Sequence, residues 1–138
     1  MHTPSIAKSQ SITMLILGSP YANTSTQTAL QFAQAVLSRG HTITRIFFYH
    51  EAATVGNDLS ISAQDENNLP AAWQTFIQQQ QLDAVICIAS GLKRGIIDAK
   101  EASRYQKAQH NLHTAIELSG LGQWVDAVSC SDKHIVFG

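Results

Sequence analysis

The stretch Asp83-Ala84-Val85-Ile86-Cys87-Ile88 is apolar at every position after its first. A strand that keeps both alternating rows of side chains out of water is covered on both faces, as strands are in a parallel sheet with helices packed on each side. Upstream, Leu69, Ala72, Trp73, Phe76 and Ile77 recur at helical spacing, so a helix is predicted from about Glu66, with Pro70 tolerated only in its first turn. Before it, Ile43 to Tyr49 is β-branched and aromatic and reads as a strand. Further upstream, Ala29, Phe32, Ala33, Val36 and Leu37 define another helix, with Thr24 and Gln27 at capping-box spacing and Gly40 as its stop. Ile12 to Leu17 is a further apolar run, ended by Gly18-Ser19-Pro20.

Downstream, Ser90-Gly91-Leu92-Lys93-Arg94-Gly95 reads as a loop, and Asp98 with Glu101 opens a helix through Tyr105 and Ala108. Thr114 to Leu118 is a short strand, Leu121, Trp124, Val125 and Val128 fit a helix, and His134 to Phe137 closes the sheet. Strands that alternate with helices indicate an α/β, Rossmann- or flavodoxin-like three-layer sandwich whose mostly parallel sheet has about five strands. Residues 1–10 read as a disordered leader and 11–138 as a single domain.

Composition narrows the function. Nine Lys and Arg against ten Asp and Glu give a formal net charge of −1, which supplies no basic field for a phosphate backbone, so direct nucleic-acid binding is disfavoured. Charged residues are 14% of the chain, and so charge-poor a surface does little to keep chains apart, which favours life in an assembly. Two cysteines, Cys87 and Cys130, are too few and too distant for a disulfide scaffold or a CxxC metal site and suit a reducing, cytoplasmic compartment. No apolar run is long enough for a signal-peptide core or a membrane span, so no membrane role is expected.

Ligands and reactive groups of open parallel sheets gather beyond the carboxyl ends of the strands. Gly18 to Thr26 is rich in hydroxyls and leads into a helix, as a phosphate cradle would, yet it has neither GxGxxG nor GxxxxGK[ST]. An ordinary turn and cap reads the same residues. Cys87 lies near such a carboxyl end, with Lys93 and Arg94 shortly after it between Gly91 and Gly95. Nearby cations favour the thiolate over the thiol, which makes a cysteine nucleophilic at neutral pH. Flanked by Ile86 and Ile88, the same residue also reads as an ordinary core cysteine. Cys130, between Ser129 and Ser131, is expected to be structural. His110 and His113 lie at a poor spacing for a metal, and no metal site is expected.

Gly18-Ser19-Pro20-Tyr21, Gln31-Phe32-Ala33, Gly40-His41, Phe47-Phe48-Tyr49-His50, Cys87 with Lys93-Arg94-Gly95-Ile96, and Ser119-Gly120-Leu121-Gly122-Gln123 occur in this order from Ile12 to Phe137. Together they resemble the TusD/DsrE family of sulfur-relay proteins. The resemblance implies a DsrE-like fold and a sulfurtransferase that carries persulfide sulfur on Cys87 without any cofactor. Lys93 and Arg94 would support the anion, within a mobile Gly91 to Gly95 loop. It also implies a hetero-oligomer with TusB-like and TusC-like subunits, a TusA-like donor and a TusE-like acceptor. The sulfur then ends in the 2-thiouridine of tRNA wobble positions. Ser90 and Gly91 stand where the family often has small apolar residues, and Lys93-Arg94 where it has an Arg pair; charge is kept, and loop geometry is what differs. Three rivals remain: a DsrE role in dissimilatory sulfur oxidation, a flavodoxin-like FMN module using Gly18 to Thr26, and a non-catalytic scaffold with a buried Cys87.

Overall fold

Along residues 8–138, the part of the chain that the computed structural model describes, five strands alternate with helices. They are β1 (Ser11–Ile16), α1 (Ser25–Ser38), β2 (Thr42–Phe48), a 3-10 helix (His50–Gly56), α2 (Leu69–Gln80), β3 (Ala84–Cys87), α3 (Ile88–Lys93), α4 (Ala99–Arg104), β4 (Glu117–Ser119), α5 (Gly122–Cys130) and β5 (Lys133–Phe137). The sheet runs β4-β3-β2-β1-β5, and every neighbouring pair is parallel.

This order explains the two helical layers. The chain steps in one direction from β1 to β4, then returns past β1 to add β5 at the far edge. Crossovers between parallel strands are right-handed, so reversing the direction of travel moves the connecting helix to the opposite face. One face buries Met14, Ile16, Ile46, Phe48 and Ile86 against Ala29 and Ala33 of α1 and Trp73 and Ile77 of α2. Trp73 is fully buried there, its Nε1 donating to the Thr26 carbonyl at 3.1 Å and its ring meeting Phe48 edge-on. The other face buries Phe47, Val85 and Cys87, with Leu15, Tyr49 and α5's Trp124 packed against them. Both faces are therefore covered, and the three-layer α/β sandwich expected from the apolar strands is what forms.

Local boundaries differ where capping chemistry decides. Thr24 and Gln27 make no capping box: Thr24 is already in the helical region and its side chain caps nothing, while Asn23 Oδ1 accepts from the Ser25 N–H. The second helix begins at Leu69 rather than near Glu66, because Asn68 caps it through the Ala71 N–H. The helix opened by Asp98 stops at Arg104, well short of Ala108. Gln106 adopts a left-handed φ of 56°, and the Lys107 N–H turns back to the Ala102 carbonyl at 2.8 Å. Residues 90–93, read from sequence as loop, belong to α3, which follows β3 without a break.

Of the leader expected over residues 1–10, residues 1–7 lie outside the described residues. Ser9 Oγ donates to the Gly40 carbonyl, and the Gln10 N–H donates to His41 Nδ1 at 3.0 Å.

Candidate functional site

Cys87 is the last residue of β3, paired with Ser119 of β4 at the carboxyl edge of the sheet. Alternation along β3 turns its side chain to the same face as Val85, into the cluster with Phe47 that Tyr49 and Trp124 border. It is 3% exposed. Thiol chemistry at Cys87 therefore needs a local opening of what covers it.

What could open is defined by two links between the exit of β2 and α3. The His50 N–H donates to the buried Ser90 Oγ at 3.0 Å. Arg94 donates to Glu51 Oε1 from Nε at 3.0 Å and Nη2 at 2.7 Å, and to the Ser90 carbonyl from Nη1 at 3.0 Å. Those hydrogen bonds, ahead of simple charge attraction, hold the Glu51 carboxyl below the usual carboxylate range. His50 itself has a φ of 52°, a left-handed conformation uncommon outside glycine, and its ring lies 4.0 Å, centroid to centroid, from that of Tyr49.

The four sequence-derived supporting residues have four different roles. Arg94 is engaged by Glu51 and Ser90. Lys93 is exposed and lines an open cleft together with Gly95, Glu101 and Tyr105. Gly91 is buried, and a Cβ there would lie 3.0 Å from the Ile96 carbonyl oxygen and 3.0 Å from Leu118 Cδ2, so its lack of a side chain lets α3 approach β4. Gly95, at φ 72°, ends α3 in the left-handed conformation, with the Ile96 N–H returned to the Gly91 carbonyl at 2.9 Å. The expected mobile Gly91 to Gly95 loop is thus a short helix and its hydrogen-bonded stop.

Cys130, expected to be structural, is exposed and joins neither core cluster. It ends α5 just before β5, at the amino edge of the sheet and opposite Cys87. The Gly18 to Thr26 turn does not fit a phosphate. Its Tyr21 and Ala22 N–H groups donate to Ser19 Oγ, its Ser25 N–H donates to Asn23 Oδ1, and Asn23 and Ser25 fill the space over Gly18. The N–H groups a phosphate would require are already bonded within the turn. Among the described residues no group of three or more His, Cys, Asp and Glu is arranged to hold a metal ion, and no helix is long and apolar enough to cross a membrane.

The sequence places His50 in the Phe47-Phe48-Tyr49-His50 block that carries the resemblance and Ser90 in the segment after Cys87, but it assigns neither a role and does not mark Glu51. Nothing in the block's composition signals a left-handed residue at position 50.

Residues 10–137 match the model of the DsrE/DsrF-like family. The chain is 44% identical over 110 residues to the sulfurtransferase TusD homolog of Pseudomonas aeruginosa, covering 80% of this chain and 84% of that protein. It is 39% identical over 129 residues to sulfurtransferase TusD of Photorhabdus laumondii, covering 94% and 98%. The crystal structure of the ychN protein from E. coli superposes with a TM-score of 0.72 at 20% identity, over 93% of this chain and 99% of that one, and so shares its fold.

Proposed function

Because the chain belongs to the DsrE/DsrF-like family, we propose that it is a sulfurtransferase that carries sulfur as a persulfide on Cys87. The observation that carries this reading is the position of Cys87 at the carboxyl edge of the parallel sheet, where open α/β folds gather their reactive groups. Cys130 lies at the opposite edge.

The step is an exchange with no net redox change. The Cys87 thiolate attacks the outer sulfur of a donor persulfide, the donor's S–S bond breaks, and the donor leaves as a thiolate while a new S–S bond forms on Cys87. An acceptor thiolate then attacks the same outer sulfur, and Cys87 departs as the thiolate. Bonds broken and made are alike, so the protein contributes access, orientation and shelter rather than driving force. Burial of Cys87 protects the persulfide from bulk thiols. Arg94 holds the helix that leaves Cys87, Gly91 and Gly95 shape that helix, and Lys93 adds an exposed cation to the same segment.

The TusD names of the relatives support a sulfur relay. Within it this chain works in the cytoplasm beside TusB-like and TusC-like subunits, takes sulfur from a TusA-like donor and yields it to a TusE-like acceptor for 2-thiolation of tRNA wobble uridine. The test is mass spectrometry of the intact protein and its peptides after incubation with a persulfide-charged TusA-like donor. One added sulfur on the Cys87 peptide is expected; sulfur on Cys130 alone, or on neither, overturns the reading.

A further inference from the structure

Ser119-Gly120-Leu121-Gly122-Gln123 joins β4 to α5 at the carboxyl edge of the sheet. β4 is the edge strand beside β3, whereas α5 packs on β2 and β1 and sets Trp124 against the cluster that holds Cys87. Only Gly120 and Leu121 separate strand from helix. To pass from one to the other, the chain must cross the end of β3 on the face toward which Cys87 turns. Ser119, where the crossing starts, is the β4 partner of Cys87 itself. The crossing is therefore a strap over the thiol, a cover distinct from α3 and its clamp.

The strap is lightly held. Two glycines flank Leu121, and the fold requires neither: both lie outside the left-handed region, and a Cβ on either would meet nothing within 4 Å. What glycine adds here is backbone freedom. Leu121 is 50% exposed, so it does not anchor the strap in the core. Helix α5 opens without a side-chain cap and without an acidic residue in its first turn, which leaves that turn free to fray. Of α5 only Ala127 is buried, against five residues of α1 and four of α2. Few buried groups and an uncapped start are the marks of a segment that opens locally.

Among the described residues one side chain bonds the strap to the sheet. Arg45 Nη1 donates to the Gln123 carbonyl at 2.9 Å and lies 3.6 Å from Asp126 Oδ2, while Nε and Nη2 both donate to Asp83 Oδ2, at 3.1 and 2.7 Å. Asp83 immediately precedes β3, so the guanidinium ties the opening turn of α5 to the strand that carries Cys87. The far end of α5 is held separately, by Thr13 Oγ1 donating to the Ala127 carbonyl at 3.2 Å. We propose that the strap 119–123 opens over Cys87 by bending at Gly120 and Gly122, and that Arg45 is a positioning residue that latches it shut through the Gln123 carbonyl. Opening gives a partner's persulfide a path to a thiol that is 3% exposed, and closure returns the loaded sulfur to shelter. The purpose of the motion rests on the sulfur-carrier reading of Cys87; the motion itself does not.

The test is the rate of Cys87 alkylation by iodoacetamide in the full chain carrying Cys130→Ser, which leaves Cys87 as its one thiol. It is read beside acrylamide quenching of tryptophan and transfer of labelled sulfur from a persulfide-charged carrier protein. Trp73 is fully buried, so quenching reports on Trp124. Arg45→Met should speed alkylation by about fivefold, as the loss of one hydrogen bond does to a local opening, and should raise quenching; Arg45→Lys should recover most of the difference. The pH midpoint of alkylation should stay in place, because access changes and thiolate charge does not. Gly120→Ala with Gly122→Ala should fold as the wild type does and slow both alkylation and sulfur acceptance by about threefold. If Arg45→Met loses its circular dichroism spectrum, the glycine pair decides, since its added Cβ atoms meet nothing. Rates that these variants leave unchanged, a faster glycine pair, or a rate change that comes with a shifted pH midpoint overturns the proposal. Alkylation that moves as expected while no variant accepts sulfur upholds the strap and overturns the sulfur-carrier reading instead.

Discussion

Arg94 directs two of its guanidinium nitrogens at a single oxygen of Glu51, at 3.0 and 2.7 Å, and keeps the third for the carbonyl of Ser90. The pair joins the 3-10 helix after β2 to the helix that begins where Cys87 ends. Glu51 is largely in water, so the link contributes little to global stability. Its effect falls on a local equilibrium: how often α3 moves away from the strand that carries the thiol.

The first prediction concerns that equilibrium. Arg94→Gln should speed alkylation of Cys87 in the native protein by a few-fold, while the thermal midpoint barely moves. Glu51→Gln should do the same, and the double variant should add little to either, since both changes remove one interaction. Fully additive rates would show that the two residues act separately on Cys87.

The second follows from the carboxyl of Glu51, which Arg94's hydrogen bonds hold below its ordinary range. A carboxyl whose folded value is depressed stabilises the folded arrangement above its unfolded value and loses that contribution as pH falls through the folded one. The clamp is therefore intact at neutral pH and weakens in acid. A carbon-detected NMR titration should find Glu51 titrating low in the wild type and nearer the ordinary value in Arg94→Gln. Identical midpoints would remove Arg94 as the cause.

Helix ends show why the sequence was legible in some places and silent in others. α1 and α3 stop on Gly40 and Gly95, both left-handed, and a glycine after a periodic run is a readable stop. α2 and α4 stop in the same hydrogen-bonded way on Gln81 and Gln106, whose left-handed φ values of 53° and 56° come with return bonds from the Leu82 N–H to the Ile77 carbonyl and from the Lys107 N–H to the Ala102 carbonyl, against the residues' own preference. Sequence and structure part accordingly at the third and fourth helices: Gly91 gives α3 the composition of a loop, and Gln106 leaves the end of α4 without a residue that signals it. The apolar runs of β1, β2 and β3 were legible because burial on both faces favours apolar side chains in both alternating rows, with Thr13 accommodated by hydrogen bonds to Ala127 and Ser131. At the site, Cys87 stood out by position, whereas Ser90 and Glu51 act through contacts with residues distant in sequence, which no spacing rule encodes.

The third prediction separates the cysteines. Cys130 is exposed and should react with a maleimide rapidly in the native protein, while Cys87 at 3% exposure should react slowly. Sulfur acceptance from a charged donor should nonetheless vanish in Cys87→Ser and survive in Cys130→Ser. A native Cys87 that labels only on global unfolding and accepts no sulfur would identify the chain as a scaffold subunit.

The last prediction turns on Gly91. An alanine in a helix interior is ordinarily worth about 1 kcal/mol over glycine, so propensity alone makes Gly91→Ala stabilising. Here the added Cβ would lie 3.0 Å from both the Ile96 carbonyl oxygen and Leu118 Cδ2. The first of these is backbone already held by the turn that ends α3, and overpacking of this kind typically costs about 1–3 kcal/mol. Crowding exceeds propensity, and Gly91→Ala should lower the urea midpoint, with α3 shifted away from β4 and Cys87 labelled faster. Gly95→Ala is the control: its Cβ meets nothing within 4 Å, but its φ of 72° carries the left-handed penalty of about 1–2 kcal/mol. That variant should lose stability by strain at the helix stop and leave Cys87 labelling closer to wild type. If Gly91→Ala is instead the more stable protein, α3 is not seated on β4 through that glycine, and the account of how the helix holds Cys87 fails with it.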